Sequence, residues 1–351
     1  MLKLEVLLAG HGDCLWIEYG DPASPKYILI DGGARGTYKR ALKAKLAAHP
    51  ELELLVVTHI DGDHITGILD LVTDATTSFH AKDFWFNGYR HLPDEVPTTL
   101  GPVQGEKLTD FLVKSKARWN GAAAGGALAV AANGDLPQKE LDGGLVLTLL
   151  GPTLANLADL KPKWESEVVK AGLDPNRKEA EEVDSGIALL DATPPDIAAL
   201  AQAPFVEDSS EANGSSIALL LEFEEHRLLL AGDAHPGTLK AAIDRLRGSA
   251  KLALSACKLP HHGSKANVSR QLLQALDCKK YIFSTNGSHF QHPDAEAVAR
   301  VIKFGGDNPT LSFNYRTAFT TIWNNKALKE EFKYGVEFPG DDSKGIELSF
   351  H

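Results

Sequence analysis

The chain has 351 residues, 43% of them hydrophobic and 24% charged, with a formal net charge of -11. That composition is globular, with material for a sizeable core, and excludes a disordered or low-complexity chain. The acidic balance argues against a coat protein that grips nucleic acid through clustered Lys and Arg, though not against a small local basic patch.

In chain order, the first 35 residues read as strand, turn, strand, turn, strand: "LKLEVLL", "CLWIEYG" and "KYILIDGG", separated by "GHGD" and "DPASP". "GTYKRALKAKLAAHPE" has helical spacing and feeds the strand "LELLVVT"; "ITGILDLVTDA" reads as a helix and "KDFWFNGYRH" as a strand running into a loop. From 92 to 210 the periodicity weakens, apart from the strand "LVLTLLGP", and this stretch is expected to be an insertion or lid within a single domain spanning 1–351. Its acidic run "KEAEEVD" at 178–184 reads as a solvated face or loop. The pattern then returns with "SSIALLLEF", "LLLAGD", a helix "PGTLKAAIDRLRG", "KLALSACKLP", "HHGS", a helix "SRQLLQALD", "KKYIFST", "HFQHP" and a helix "DAEAVARVIKFGG". The last forty residues read as closing strands and a tail.

The two halves echo each other: "YILIDGG", helix, strand and "THIDGDH" against "LLLAGD", helix, strand and "PHHGS". Each delivers acid and imidazole groups from the carboxyl ends of strands. The expected fold is therefore α/β, a four-layer α/β/β/α sandwich of two facing sheets with helices outside. Cys14, Cys257 and Cys278 are widely spaced and odd in number, so buried reduced thiols are expected rather than disulfides or a thiolate zinc site. No apolar run reaches the roughly 18 residues of a membrane helix, and the opening stretch is short for a signal peptide, so a cytoplasmic protein with no membrane partner is expected.

The chemistry gathers in "LVVTHIDGDHITG", residues 55–67. His59, Asp61, Asp63 and His64 follow an apolar strand in a spacing that suits a loop wrapped round a point, not one helical face. Burying such groups is costly without a compensating cation. His59 and Asp61 can address one point, Asp63 and His64 a second nearby; the bland alternative is an Asx-rich turn with Asp63 as helix N-cap. Gly62 permits the turn, and Gly67 lets the following helix approach closely.

This stretch resembles the metallo-β-lactamase superfamily signature His-x-His-x-Asp-His, with Asp61 where the second His is usual. More narrowly, "GHGDCLWIE", "NGSSIALLLEF", "LLLAGD", "KLPHHGS" and "HFQHP" resemble the hydrolase domain of ComEC-type DNA-uptake proteins and their stand-alone soluble relatives. The resemblance spans 2–35, 52–70 and 213–303. It implies one divalent cation on His59 and Asp61, a second on Asp63 and His64, Asp233 bridging, and either His261 or His262 completing the second site. Asn213 stands near the place of the family's additional His. With Asp61 and Asn213 as oxygen donors, the first site leans from zinc toward manganese or iron and toward lower occupancy, so one cation working alone is left open.

Asp31 is expected to orient the His59 loop, and His11 and Asp13 lie in the family's loop beside the metals, Asp13 as a turn former. Lys258 is a candidate for an anionic substrate, although a lysine at a strand end is usually exposed. His292 is a candidate catalytic contact to the substrate or leaving group, His289 a weaker one. Asn87, Arg90 and His91 are conceivable substrate contacts, unless "WFNGYRH" is only an aromatic core strand with a polar end. Asp63 or Asp233 could accept the proton of an attacking water. No G-x-S-x-G, P-loop or G-x-G-x-x-G occurs, which disfavours serine and nucleotide chemistry. The resulting expectation is a metal-dependent hydrolase, a phosphodiesterase or nuclease, with nucleic acid an admissible substrate. The alternatives are a hydrolase of a small ester, lactone or phosphocholine-type substrate, or a degenerate metal-binding partner module.

Overall fold

The computed structural model describes residues 1–93, 107–170 and 194–351. The "KEAEEVD" run lies outside them. Two large sheets carry the fold. The first consists of β1 (Leu2–Val6), β2 (Leu15–Asp21), β3 (Ser24–Ile30), β4 (Leu54–Val56) and β5 (Phe84–Trp85), joined at its edge by the last strand of the chain. The second runs from β6 (Gln138–Glu140), β7 (Val146–Gly151), β8 (Ala218–Phe223) and β9 (His226–Leu230) to β10 (Ala256–Lys258), β11 (Lys280–Phe283), β12 (Thr310–Phe313) and β13 (Gly335–Glu337). β14 (Ile346–Phe350) closes the first sheet by pairing antiparallel with β1, Leu2 opposite Phe350.

Both sheets begin as antiparallel meanders and turn parallel where the crossover helices start: β3 with β4, and β9 with β10, which pairs in turn with β11. Alternation along β2 shows how the layers stack. Leu15, Ile17 and Tyr19 pack into one cluster with Leu219, Leu221, Leu228 and Leu230 of the facing sheet. Trp16, on the opposite face, packs with Tyr38, Leu42, Ile65 and Ile68 from the outer helices. β8 is apolar at every position but Glu222, and β9 over Leu228–Leu230, because both faces are covered there. The arrangement is a four-layer α/β/β/α sandwich, and Cys14, Cys257 and Cys278 are buried free thiols within it.

In the 92–210 stretch, β6 and β7 complete the edge of the second sheet, while Leu157, Leu160, Trp164 and Val168 join the outer cluster of the first. The closing region departs from the expected strands and tail. Ala318–Thr321 is helical despite its aromatic and threonine content, and Lys326–Phe332, KALKEEF, is built of strong helix formers. Thr317 and Thr320 form a reciprocal capping box, and the Asn325 side chain accepts from Leu328 N, so local caps override strand propensity. No helix of the described residues is long and apolar enough to cross a membrane.

Candidate metal centre

The carboxyl ends of β3, β4, β9 and β10 meet at one edge of the sandwich, where loops leaving parallel strands can converge. After β3, Asp31 sits in the left-handed backbone region (φ 60°) with both carboxylate oxygens committed. Thr58 N donates to Oδ1 (2.7 Å), while Thr58 Oγ1 (2.8 Å) and His64 Nδ1 (2.8 Å) donate to Oδ2. After β4 the chain turns through His59 into α1 (Gly62–Thr73). The helix N-cap is Asp61 rather than Asp63, and its side chain makes no capping hydrogen bond, so neither carboxylate is spent as the Asx turn would require.

Two glycines make the approach possible. A Cβ on Gly67 would stand 2.0 Å from Gly32 O, so α1 rests directly on the loop after β3. One on Gly12 would stand 1.7 Å from Asp63 O, so the first hairpin loop lies against the His59–His64 loop. From the second half, β10 leads into His261, His262 and Gly263, all at positive φ (47°, 54° and 89°). Two successive non-glycine residues in that region store roughly 1–3 kcal/mol of strain each. The turn aims both rings into the site.

Four imidazoles converge there, each with Nδ1 already engaged. His64 Nδ1 donates to Asp31, His262 Nδ1 to Ser284 O (2.9 Å) and His261 Nδ1 to Asn267 Oδ1 (3.0 Å). His59 Nδ1 donates to Thr58 Oγ1 (3.0 Å), whose own proton goes to Asp31. These partners fix the tautomers and leave the Nε2 lone pairs facing inward. His64 Nε2 and His262 Nε2 are 3.3 Å apart, an arrangement of facing lone pairs that needs a proton or a cation to offset it. Buried His59 Nε2 and Asp233 Oδ1 have no hydrogen-bond partner.

The carboxylates complete two adjoining positions. The inner one has Asp233 Oδ2 at 3.3 Å from His64 Nε2 and 3.5 Å from His262 Nε2, with Asp63 Oδ2 at 3.3 Å from His262 Nε2. At the outer one, His59 Nε2 lies 3.4 Å from Asp61 Oδ2 and 4.0 Å from the same Asp233 Oδ2, with His261 Nε2 at 3.9 Å from that oxygen. Asp233 is therefore shared, His262 faces the inner position and His261 the outer. The donors are the mixed imidazole and carboxylate set that divalent zinc, manganese or iron accepts, so the residues fit a divalent metal.

The titration behaviour agrees. Burial would push the Asp63 and Asp233 carboxyls up, but the neighbouring imidazoles hold both far down. Burial would lower His64 and His262, yet the Asp233 carboxylate, with Asp31 and Asp63 around His64 and Asp13 beside His262, raises both well above the ordinary imidazole value. Without metal these rings hold protons, and a cation would take the protons' place.

Asp13 and Lys258 have roles different from those expected. Asp13, His64, Asp233 and His262 each place one atom within 4.8 Å of the others, a grouping that could close round an ion. Asp13 Oδ1 lies 3.3 Å from His262 Nδ1, however, on the side of the ring away from the facing Nε2 atoms, so its charge supports His262 from behind while Ser284 O accepts the Nδ1 proton. It does more than form a turn. Lys258 corrects the expectation of an exposed strand end: it is wholly buried, ion-paired with Asp13 and hydrogen-bonded to Gly232 O (3.3 Å). Its ammonium is committed inside the protein and is not offered to a substrate. Burial would raise Asp13, but Lys258 and then His262 bring its carboxyl down to about 2.

Asn213 is buried beside the outer position; its Nδ2 donates to Asp208 Oδ2 (2.7 Å), and its Oδ1 has no partner. Asp208 also accepts from Asn267 Nδ2 (3.0 Å), and this acid and amide brace His261. Sequence reasoning missed both; the acidic "FVED" just before "NGSS" was the available signal. His292 is buried and edge-on to His261, with ring centroids 5.3 Å apart, and burial lowers its pKa, so the ring is held neutral. His11 stacks on His289 at 5.0 Å. Asn87 and His91 are placed otherwise than as substrate contacts. Both ends of the Asn87 amide bond the Leu128 backbone, and His91 packs edge-on to Trp119 with Arg90 over the same indole, so these residues tie the loop after β5 to Trp119 and Leu128.

No family model and no curated protein matches the chain. Solved structures similar to it include CmlA, a diiron β-hydroxylase from Streptomyces venezuelae, at 12% identity and a TM-score of 0.39 over 99% of this chain and 54% of that one. Another is YhfI, a metallo-β-lactamase fold protein from Bacillus subtilis, at 11% identity and a TM-score of 0.38, covering 99% of this chain and 100% of that one. The chain spans about half the length of CmlA.

Proposed function

We propose that this protein is a metal-dependent hydrolase of the metallo-β-lactamase type acting on phosphodiesters. The observation that carries the reading is the pair of Nε2 atoms of His64 and His262, 3.3 Å apart beside the shared Asp233. Asp63, His64, Asp233 and His262 would hold one cation, and His59, Asp61 and Asp233, with His261 near, the second. Cations bound there would lower the pKa of water toward neutrality and polarise a phosphoryl oxygen. Asp63 and Asp233, both ionised, can accept the proton of an attacking water. His292, neutral and next to His261, would give a hydrogen bond to the leaving oxygen, and Asn213 and His11 would contact the substrate.

The ComEC-like substrate class rests on the sequence resemblance alone. Among the described residues, Lys258 is sealed in, Lys265 pairs with Glu296 at 3.4 Å, and Lys170, which feels the Asp61 carboxylate, pairs with Glu167, so none of the three is free for a long polyanion. A short diester suits this setting better than duplex nucleic acid. The test is turnover of bis-p-nitrophenyl phosphate, a dinucleotide, labelled DNA and a simple lactone by protein loaded with Mn²⁺ or Zn²⁺. Diester cleavage that EDTA and Asp233→Ala both abolish supports the reading. Lactone turnover without diester cleavage, or no turnover by metal-loaded protein, overturns it.

A further inference from the structure

Next to the centre lies a side chain that the hydrolytic chemistry does not use. Phe290 is 51% exposed, one of few large apolar side chains left to solvent among the described residues. It stands in a ring of imidazoles. His289 meets it edge-on at 4.3 Å, His292 is stacked with it at 5.8 Å, and His11 and His261 lie edge-on at 6.2 and 6.4 Å between centroids. His261 in turn reaches to 3.9 Å from the shared Asp233 carboxylate, so one imidazole separates the exposed phenyl from the candidate metal positions.

The loop that carries Phe290 is tied down. Asn286 N donates to Gly10 O (2.9 Å), Gly10 N donates to Tyr315 Oη (2.8 Å), and Gln291 N donates to Gly287 O (3.1 Å). Gly287 (φ 76°) has Phe319 where a Cβ would go, 2.4 Å away. These contacts fix the exposed ring relative to the hairpin that also carries His11.

We propose that Phe290 is a stacking platform for a planar aromatic ring of the substrate, so that the preferred diester carries a nucleobase or aryl group next to the phosphorus. This rests on the phosphodiester reading and narrows it to a substrate class. An exposed phenyl walled by imidazoles offers an apolar π-face at the rim of a polar site, where a base gains stacking that an aliphatic group does not. It also supplies affinity without cations, which suits a chain whose net charge is -11.

The experiment is equilibrium binding, by calorimetry on metal-loaded protein, of uridine 5′-monophosphate and of ribose 5-phosphate, which has the phosphate and sugar without the base. Wild type is expected to bind the nucleotide about tenfold more tightly than the sugar phosphate, the worth of one stacked base. Phe290→Ala and Phe290→Leu should remove that gap and leave ribose 5-phosphate binding as it was, while Phe290→Trp restores it. Phe290 is half exposed and belongs to neither apolar cluster, so these substitutions remove no core packing. No preference in wild type, or a preference undiminished in Phe290→Leu, overturns the proposal. Because turnover is not the readout, absence of diester cleavage would count against the hydrolase reading separately.

Discussion

Replacing Lys258 by methionine removes the ammonium that faces Asp13 and Asp233 while keeping most of the side-chain volume. Lys258 is wholly buried, its partner Asp13 is 1% exposed, and Asp233 Oδ1 lies 4.0 Å from the ammonium. At an effective dielectric constant of about 20, one charge pair at that distance is worth about 4 kcal/mol, and the closer Asp13 contact somewhat more. Desolvation of the ammonium offsets much of this, and breaking a buried pair by removing one partner costs about 3–5 kcal/mol in comparable cases. At about 1.4 °C per kcal/mol for a chain of this length, Lys258→Met should lower Tm by about 4–7 °C. The assay is thermal unfolding in EDTA, so that metal binding does not enter, with Asp13→Leu and the double variant completing the cycle. The double variant should recover about 3 kcal/mol relative to the summed single losses, because no unpaired charge is left buried. A Lys258→Met cost below about 1 kcal/mol, or additive losses in the double variant, would refute the reasoning.

His91 predicts a pH effect. Burial, and then the Arg90 charge, lower it to about 4, so below its unfolded value of about 6.5 the unfolded chain takes up a proton that the native state refuses. Stability attributable to neutral His91 is present above about pH 6.5 and falls by about 3 kcal/mol as pH drops toward 4; His91→Gln should flatten that limb of a urea-stability profile, and an unchanged limb would assign it to other groups. Asp31→Asn alters the acceptor that orients His64, and competition with a chromogenic chelator should show metal affinity down about 10–100-fold. Gly67→Ala has no room for its methyl and should cost at least about 2 kcal/mol in chemical denaturation, whereas Gly340, with open space around it, should accept alanine within about 0.5 kcal/mol.

Much of this was legible because local patterning and global fold agree. "SSIALLLEF" and "LLLAGD" are apolar runs because β8 and β9 are covered on both faces, and the step from an apolar strand into "THIDGDH" marks a polar loop at a strand's carboxyl end. The single-residue gaps between those acids and imidazoles limited what the loop could be. What stayed hidden depends on partners far away in the chain. Lys258 reads as an exposed strand end until Asp13, from the first hairpin, is placed against it. His261 and His262 are adjacent and chemically alike; only the left-handed turn through both, with Asn267 behind one and Ser284 behind the other, separates their positions. The pairing of β14 with β1 likewise joins two alternating strands that carry no mark of each other.

The central claim is that both halves of the chain hold a shared pair of divalent cations through Asp233. Metal stoichiometry after equilibrium dialysis against Mn²⁺ or Zn²⁺, measured by elemental analysis on wild type and Asp233→Ala, tests it most directly. The account predicts about two equivalents in wild type, the inner held more tightly, and loss of both positions when the shared carboxylate is removed. Equal metal content in the two proteins, or none in wild type, would contradict it.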